Sequence, residues 1–139
     1  MNIKSSKFLY SFLLIFSMFM TPAWAQIDDI DVGDIESFGI SLLGKQVRYE
    51  GVLQKAYACQ LPSNKGNQCL VVSDITNEIN ESIIVPNGAY SISEYKKWIR
   101  EKTLLSFTGT VEMRDVADAT YKENTKSPIL IGEKISIAR

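Results

Sequence analysis

Along this chain the spacing of hydrophobic positions changes period several times, and each change predicts an element. In GKQVRYEGVLQKAYAC, Val47, Tyr49, Leu53 and Tyr57 fall at even spacing, with Gly51 on the same face. That period of two, rich in β-branched and aromatic residues, predicts a strand. CLVVSDI is a compact apolar run that predicts a second strand, ITNEINE reads as a polar turn, and SIIVP predicts a third, short strand. The period then lengthens in NGAYSISEYKKWIREKT. Ile92, Tyr95 and Ile99 recur at three- and four-residue steps with Trp98 beside them, while Lys96, Lys97, Arg100 and Glu101 take the other face. This predicts a helix of roughly three turns, opened by a capping box in which Ser91 is followed three residues later by Glu94. Alternation returns in LLSFTGTVEMRD, where Leu105, Phe107, Val111 and Met113 share a face with Gly109. A polar stretch, VADATYKENTKSP, separates it from a last strand, ILIGEKISIA. The expected core joins Leu105, Phe107, Val111 and Met113 with Val47, Leu53, Val71, Ile84 and Trp98.

The first 25 residues follow none of these periods. MNIKSSK is a short basic start, FLYSFLLIFSMFM an apolar run, and TPAWAQ contains an Ala-Trp-Ala ending. Together they have the form of a secretory signal cleaved after Ala25. The run from Phe8 to Met20 is short for a spanning helix, which needs about 20 apolar residues, and no cysteine stands at the cleavage point for a lipid anchor. The expectation is a signal peptide over residues 1–25, a lead over 26–43 and one domain over 44–139. No membrane span is expected in the mature chain, which is placed in the periplasm or outside the cell. QIDDIDVGDIESFGISLL, the lead, is read as a mobile acidic start running into a short helix over Ile35, Phe38 and Leu42. Its Asp29-x-Asp31 start hints at a calcium loop, but Asp34 and Ile40 stand where that loop needs Gly and Glu. No metal and no cofactor are expected.

Charge narrows the function classes. Removing the signal leaves 13 bases against 16 acids, a net charge of −3. Five of those acids, Asp28, Asp29, Asp31, Asp34 and Glu36, lie in the lead, so the body after Glu36 is at +2. A polyanion binder is usually distinctly basic, so nucleic acid is the disfavoured partner.

Export also gives meaning to CQLPSNKGNQC, which holds the only two cysteines, Cys59 and Cys69. Oxidising compartments let thiol pairs persist as disulfides. A metal pair would lack Cys or His partners, and a redox dithiol would more typically read C-x-x-C, so a structural bridge is the reading. Closing a loop of this size contributes on the order of 2.5 to 3 kcal/mol. Because the loop lies between the first two strands, the bridge is expected to staple the mouth of their hairpin.

The order strand, strand, strand, helix, strand, strand resembles the OB-fold, a five-stranded Greek-key barrel whose helix joins strands three and four. The resemblance rests on GKQVRYEGVL, CLVVSDITNEINESIIVP, LLSFTGTVEMRD and ILIGEKISI, with Gly51 and Gly109 suited to the sharp coiling that closes such a sheet. The fold expected is therefore all-β with one helix, a five-stranded OB-type barrel. Some likeness extends to exported bacterial OB-fold proteins, and no single member is indicated.

The resemblance also implies a site. OB-folds bind across strands two and three, between the first hairpin loop and the loop joining strands four and five. Those segments here hold Lys55, Tyr57 and Lys65, and then Arg114, Tyr121, Lys122 and Lys126. Aromatic faces with cations can stack a ring and hold an anion, although lysines and tyrosines also serve simply to solvate loops and cover barrel ends. A small anionic or sugar-like ligand and an envelope protein are the expected kinds of partner. Catalysis has little to work with. The chain contains no histidine, which removes Ser-His and Cys-His nucleophile pairs, and Glu50, Asp74 and Glu112 are isolated acids in strands. The expectation is a non-enzymatic exported binding module, with a structural component of an envelope assembly as the alternative and an oligonucleotide or oligosaccharide binder as the less favoured one.

Overall fold

A computed structural model describes residues 26–117 and 124–139. In chain order the elements are β1 (Asp28–Asp29), α1 (Asp34–Leu42), β2 (Gln46–Ala58), a 3-10 turn (Pro62–Asn64), β3 (Asn67–Ser73), β4 (Asn80–Pro86), α2 (Ile92–Glu101), β5 (Leu104–Ala117) and β6 (Asn124–Ile137). The strands form one mixed six-stranded sheet in the order β1-β2-β3-β4-β6-β5, and an additional β2–β5 pairing closes it into a ring. Two pairings, β1–β2 and β4–β6, are parallel, and the others are antiparallel. The arrangement is OB-like in broad outline, but strand count and order differ from the five-stranded expectation because the N-terminal lead contributes β1 and a second helix.

The long β2 strand serves three partners, with β1 beside Val47 and Arg48. Its first half, Gln46 to Val52, pairs with β5, and its second half pairs with β3. Side chains close to the ring axis would block that turn. A Cβ on Gly51 would lie 2.7 Å from the Ser73 carbonyl oxygen, and one on Gly109 would run into that of Ile131, so both positions need glycine.

Inside the ring, Val47, Tyr49, Leu53, Leu70, Val72, Ile83, Val85, Leu105, Phe107, Val111 and Leu130 are buried together. Tyr49 and Phe107 lie with ring centroids 5.8 Å apart. Residues of α2 pack on this core through Tyr95, Trp98 and Ile99. The capping box is present in full: Ser91 Oγ accepts from Glu94 N–H at 3.2 Å, and Glu94 Oε2 accepts from Ser91 N–H at 3.1 Å. Just before it, the Tyr90 hydroxyl accepts from Ile135 N–H at 2.7 Å and lies 3.1 Å from the Ile135 carbonyl oxygen. β6 pairs with β4 only at Leu130 and Ile131, so further along its backbone needs another partner, and the phenol supplies one.

Three expected core positions, Val71, Ile84 and Met113, are corrected, and three residues placed on apolar faces, Tyr57, Ile92 and Phe38, are exposed. Register slips by one residue between Leu53 and Lys55, and this β-bulge turns Ala56 toward the core while Tyr57 becomes 46% exposed. Val71 is only half-buried, because Leu70 and Val72 take the inner face. Ile84 is buried, but in a second cluster with Cys59 and Ile129 rather than in the ring. Met113 is 43% exposed, since it lies past Val111 where β5 and β6 continue as a hairpin arm. Ile92, at the first position of α2, is exposed, as is Phe38 on α1. The polar stretch expected to separate the last two strands is partly strand, since β5 runs to Ala117 and β6 begins at Asn124.

The lead, expected to be mobile, is held on the ring. Asp28 and Asp29 pair with Val47 and Arg48, Ile30 N–H donates to Arg48 O at 2.9 Å, and Ile35 and Gly39 of α1 are buried, Gly39 facing Pro128 of β6. Among the described residues, no helix is long and apolar enough to cross a membrane.

Candidate functional site

The bridge between Cys59 and Cys69 is formed, and no cysteine is left free. Its loop begins as β2 ends, turns at Pro62–Asn64, and returns through Gly66, whose φ of +91° suits glycine. Cys59 N–H donates to Asn67 O at 3.0 Å, closing the mouth of the hairpin. Beneath the bridge lies the second apolar cluster, Cys59 with Ile84 and Ile129, flanked by Cys69 and Ile131. The loop also reaches across to the hairpin arm: Asn64, 2% exposed, donates through Nδ2 to the Asp115 carbonyl oxygen at 2.9 Å. The stapled loop is thus joined to the arm by a partly buried hydrogen bond.

That junction decides where the expected site residues fall. Lys65, next to Asn64, is exposed. Arg114 precedes Asp115, and Lys126 is the register partner of Asp115 on β6. Segments bearing Lys65, Arg114 and Lys126 therefore meet. Arg114 is partly committed, with Nη2 2.9 Å from Glu112 Oε2. Tyr57 lies opposite Cys69 beside the bridge, and Lys55 lies opposite Val71; both are exposed. Tyr121 and Lys122 lie outside the described residues.

A buried carboxylate that the sequence reading passed over holds the other end of the ring. Glu81, 7% exposed, shares the inward face of β4 with Ile83 and Val85. Its Oε1 accepts from Ile35 N–H at 3.0 Å and Glu36 N–H at 3.3 Å, performing the N-cap function that Gly33 cannot, having no side chain. Burial raises the Glu81 carboxyl above its ordinary value, opposed by the hydrogen bonds from Glu36, Gly33 and Ile35 and reinforced by nearby Asp34. Among the described residues, Glu81 Oε2 and the Tyr49 hydroxyl are buried without a hydrogen-bond partner, and burial followed by the Glu81 charge pushes the Tyr49 phenol well up. The even spacing of Glu81, Ile83 and Val85 was the signal that could have found this residue.

A groove of about 1240 Å³ lies elsewhere. Its floor includes Arg48 and Glu50 of β2, Ser106 of β5 and Ser136 of β6. One side is formed by the lead from Asp29 to Val32, and another by the β3–β4 turn. Asp74 organises that turn, accepting from Thr76 Oγ1 at 2.6 Å, Glu78 N–H at 2.9 Å and Ile79 N–H at 3.1 Å. The Thr76 hydroxyl, then the Ile79 N–H, hold its carboxyl below the ordinary value.

No protein-family model matches the chain, and no curated protein sequence matches it. Solved structures similar to it include the OBody AM1L10 bound to hen egg-white lysozyme, at 15% identity over 71% of this chain and 84% of that one, with a TM-score of 0.41. An aspartyl-tRNA synthetase from Entamoeba histolytica matches at 13% identity over 74% of this chain and 20% of its own, with a TM-score of 0.45. The asparaginyl-tRNA synthetase from Pyrococcus horikoshii matches at 16% identity over 71% and 20%, with a TM-score of 0.42.

Proposed function

We propose that the protein is an exported, non-enzymatic binding module built on an OB-type barrel, in which β2 to β6 are the five barrel strands and β1 with α1 are additions from the lead. Supporting the barrel reading are the β2–β5 closure, the single parallel β4–β6 pairing within the ring and the helix between β4 and β5. Export is supported by the basic, apolar, Ala-Trp-Ala progression of residues 1–25 and by a bridge suited to an oxidising compartment. The non-enzymatic reading draws on the absence of histidine, and on Glu81 being accounted for by its helix cap.

One observation carries the binding reading: the stapled loop is tied to the hairpin arm through Asn64 and Asp115. Preorganised surfaces lose less entropy on binding; Lys65 follows Asn64 on the loop, Lys126 stands opposite Asp115 on the arm, Arg114 takes the arm's other face, and Tyr57 is beside the bridge. A small anionic or sugar-like ligand is the partner this rim suits. Calorimetric titration with inorganic pyrophosphate and with chitotriose tests it. Binding of either, lost in a combined Lys65→Ala, Lys126→Ala variant, supports the reading; no binding of either by the unmodified protein removes the ligand form. A second reading, a component of an envelope assembly, is favoured by a specific feature, the isoleucines standing exposed around the groove at the other end of β2.

A further inference from the structure

A soluble protein gains by burying large aliphatic side chains, and those left exposed together mark contact surfaces. Ile75 is 77% exposed, Ile137 63% and Ile79 44%, and all three border the groove described above, as does the partly buried Ile30. Ile75 and Ile79 are presented by a turn that Asp74 fixes through three hydrogen bonds. Ile137 ends β6, and Ala138 beyond it is tied to Leu104 O at 3.0 Å. The apolar rim is therefore built on ordered backbone at both sides.

Charge gives the groove a direction. The lead that forms one wall brings Asp29 and Asp31 and no base to the groove, and its pairing to β2 holds Asp29 in place. On the floor, Arg48 is engaged by Asp29 at 2.8 Å, whereas Glu50 beside it and Asp31 on the wall form no ion pair among the described residues. Two cations, Lys134 and Arg139, lie toward the β6 side. The field thus runs from an acidic wall to a weakly basic one. At about 1240 Å³, the space exceeds the roughly 300 to 1,000 Å³ of small-molecule pockets and suits a chain segment.

We infer that this groove docks an extended segment of a partner protein whose side chains are aliphatic and basic, the aliphatic ones seated among Ile75, Ile79 and Ile137 and the basic ones turned to the acidic lead. This site is separate from the rim around Lys65 and stands whether or not that rim binds a ligand.

Amide chemical shifts of the full chain, titrated with the synthetic peptide Lys-Ile-Lys-Val-Lys-Ile and separately with Glu-Ile-Glu-Val-Glu-Ile, test it. The basic peptide should move Asp31, Glu50, Ile75, Ile79 and Ile137, with an affinity that falls as salt is raised. Replacing Ile75 and Ile137 by Ser should weaken it by about tenfold or more, and Asp31→Lys with Glu50→Lys should reverse the preference toward the acidic peptide. Since all four positions are on the surface, the variants should keep the circular dichroism of the parent. No shifts at these residues, equal response to the two peptides, or a response unaffected by the Ile75 and Ile137 replacements would overturn the proposal. So would self-association of the protein that Ile75→Ser abolishes, which would make the groove an interface between copies.

Discussion

Glu81 is where stability and pH are most tightly linked in this structure. Its carboxylate reaches across 46 residues of sequence to the first turn of α1, and removing a side-chain cap costs about 0.5 to 2 kcal/mol. Glu81→Ala also leaves two partly buried N–H groups without their acceptor, and each such loss costs about 1 to 3 kcal/mol when water cannot replace it. Since α1 ends are near solvent, a total of about 2 kcal/mol is expected. Glu81→Gln keeps an acceptor for Ile35 and Glu36 while removing the buried charge. The sign of the pH effect follows from the raised folded value. The folded state holds the Glu81 proton more tightly than the unfolded chain, so this contribution is fully present below the ordinary value of 4.5 and is lost as pH rises through the folded value. Urea unfolding at a series of pH values from acidic to neutral reads both effects. Between those two values the unmodified protein should lose stability relative to Glu81→Gln as pH rises, and the difference should be flat outside that window. A difference that grows in the opposite direction, or a Glu81→Ala cost below about 0.5 kcal/mol, would refute the clamp.

Other perturbations test separate parts of the account. Replacing Cys59 and Cys69 together by Ser should leave the β-rich circular dichroism intact while lowering the denaturation midpoint by a loss of about 2 to 3 kcal/mol; stability equal to the parent would show that the loop is held by Asn64 alone. Phe107→Ala, emptying a fully buried position against Tyr49, should cost about 3 to 5 kcal/mol in chemical denaturation, and a loss below about 1 kcal/mol would place β5 in the wrong register. Tyr90→Phe should cost about 1 to 3 kcal/mol, because Ile135 N–H loses its acceptor; a neutral result would mean that solvent replaces the phenol. The chain recovered after export should begin at Gln26 and present no alkylatable thiol until reduced, as intact mass will show.

Local chemistry was readable from the sequence wherever neighbours in the chain decide the outcome. The capping box needs only Ser91 and Glu94, and the staple needs two cysteines around a loop of suitable length. Alternation on one face also survived where one face is buried, as at Val47, Tyr49 and Leu53 or at Leu105 and Phe107. It failed in CLVV and SIIVP for a physical reason: β3 and β4 are covered on both sides, by the ring core within and by the stapled loop and its apolar cluster without, so hydrophobicity does not mark a face. Tyr57 leaves the face of Val47, Tyr49 and Leu53 because a bulge adds one residue to β2, and no local signal near Gln54 announces it. Glu81 and the fixed lead were missed because their partners are far apart in the chain, although the spacing of Glu81 with Ile83 and Val85 pointed inward. The groove was illegible because its floor and walls come from the lead, β2, the β3–β4 turn, β5 and β6.

The central claim, that the stapled loop and the hairpin arm form one binding rim, is tested most directly by mapping amide chemical shifts of the intact protein against inorganic pyrophosphate and chitotriose. The account predicts that one of them moves the signals of Tyr57, Lys65, Arg114 and Lys126 as a single saturable set, and that Asn64→Ala weakens the response while leaving the ring core unchanged. Saturable shifts confined to another surface, or none at those four residues with either compound, would contradict it.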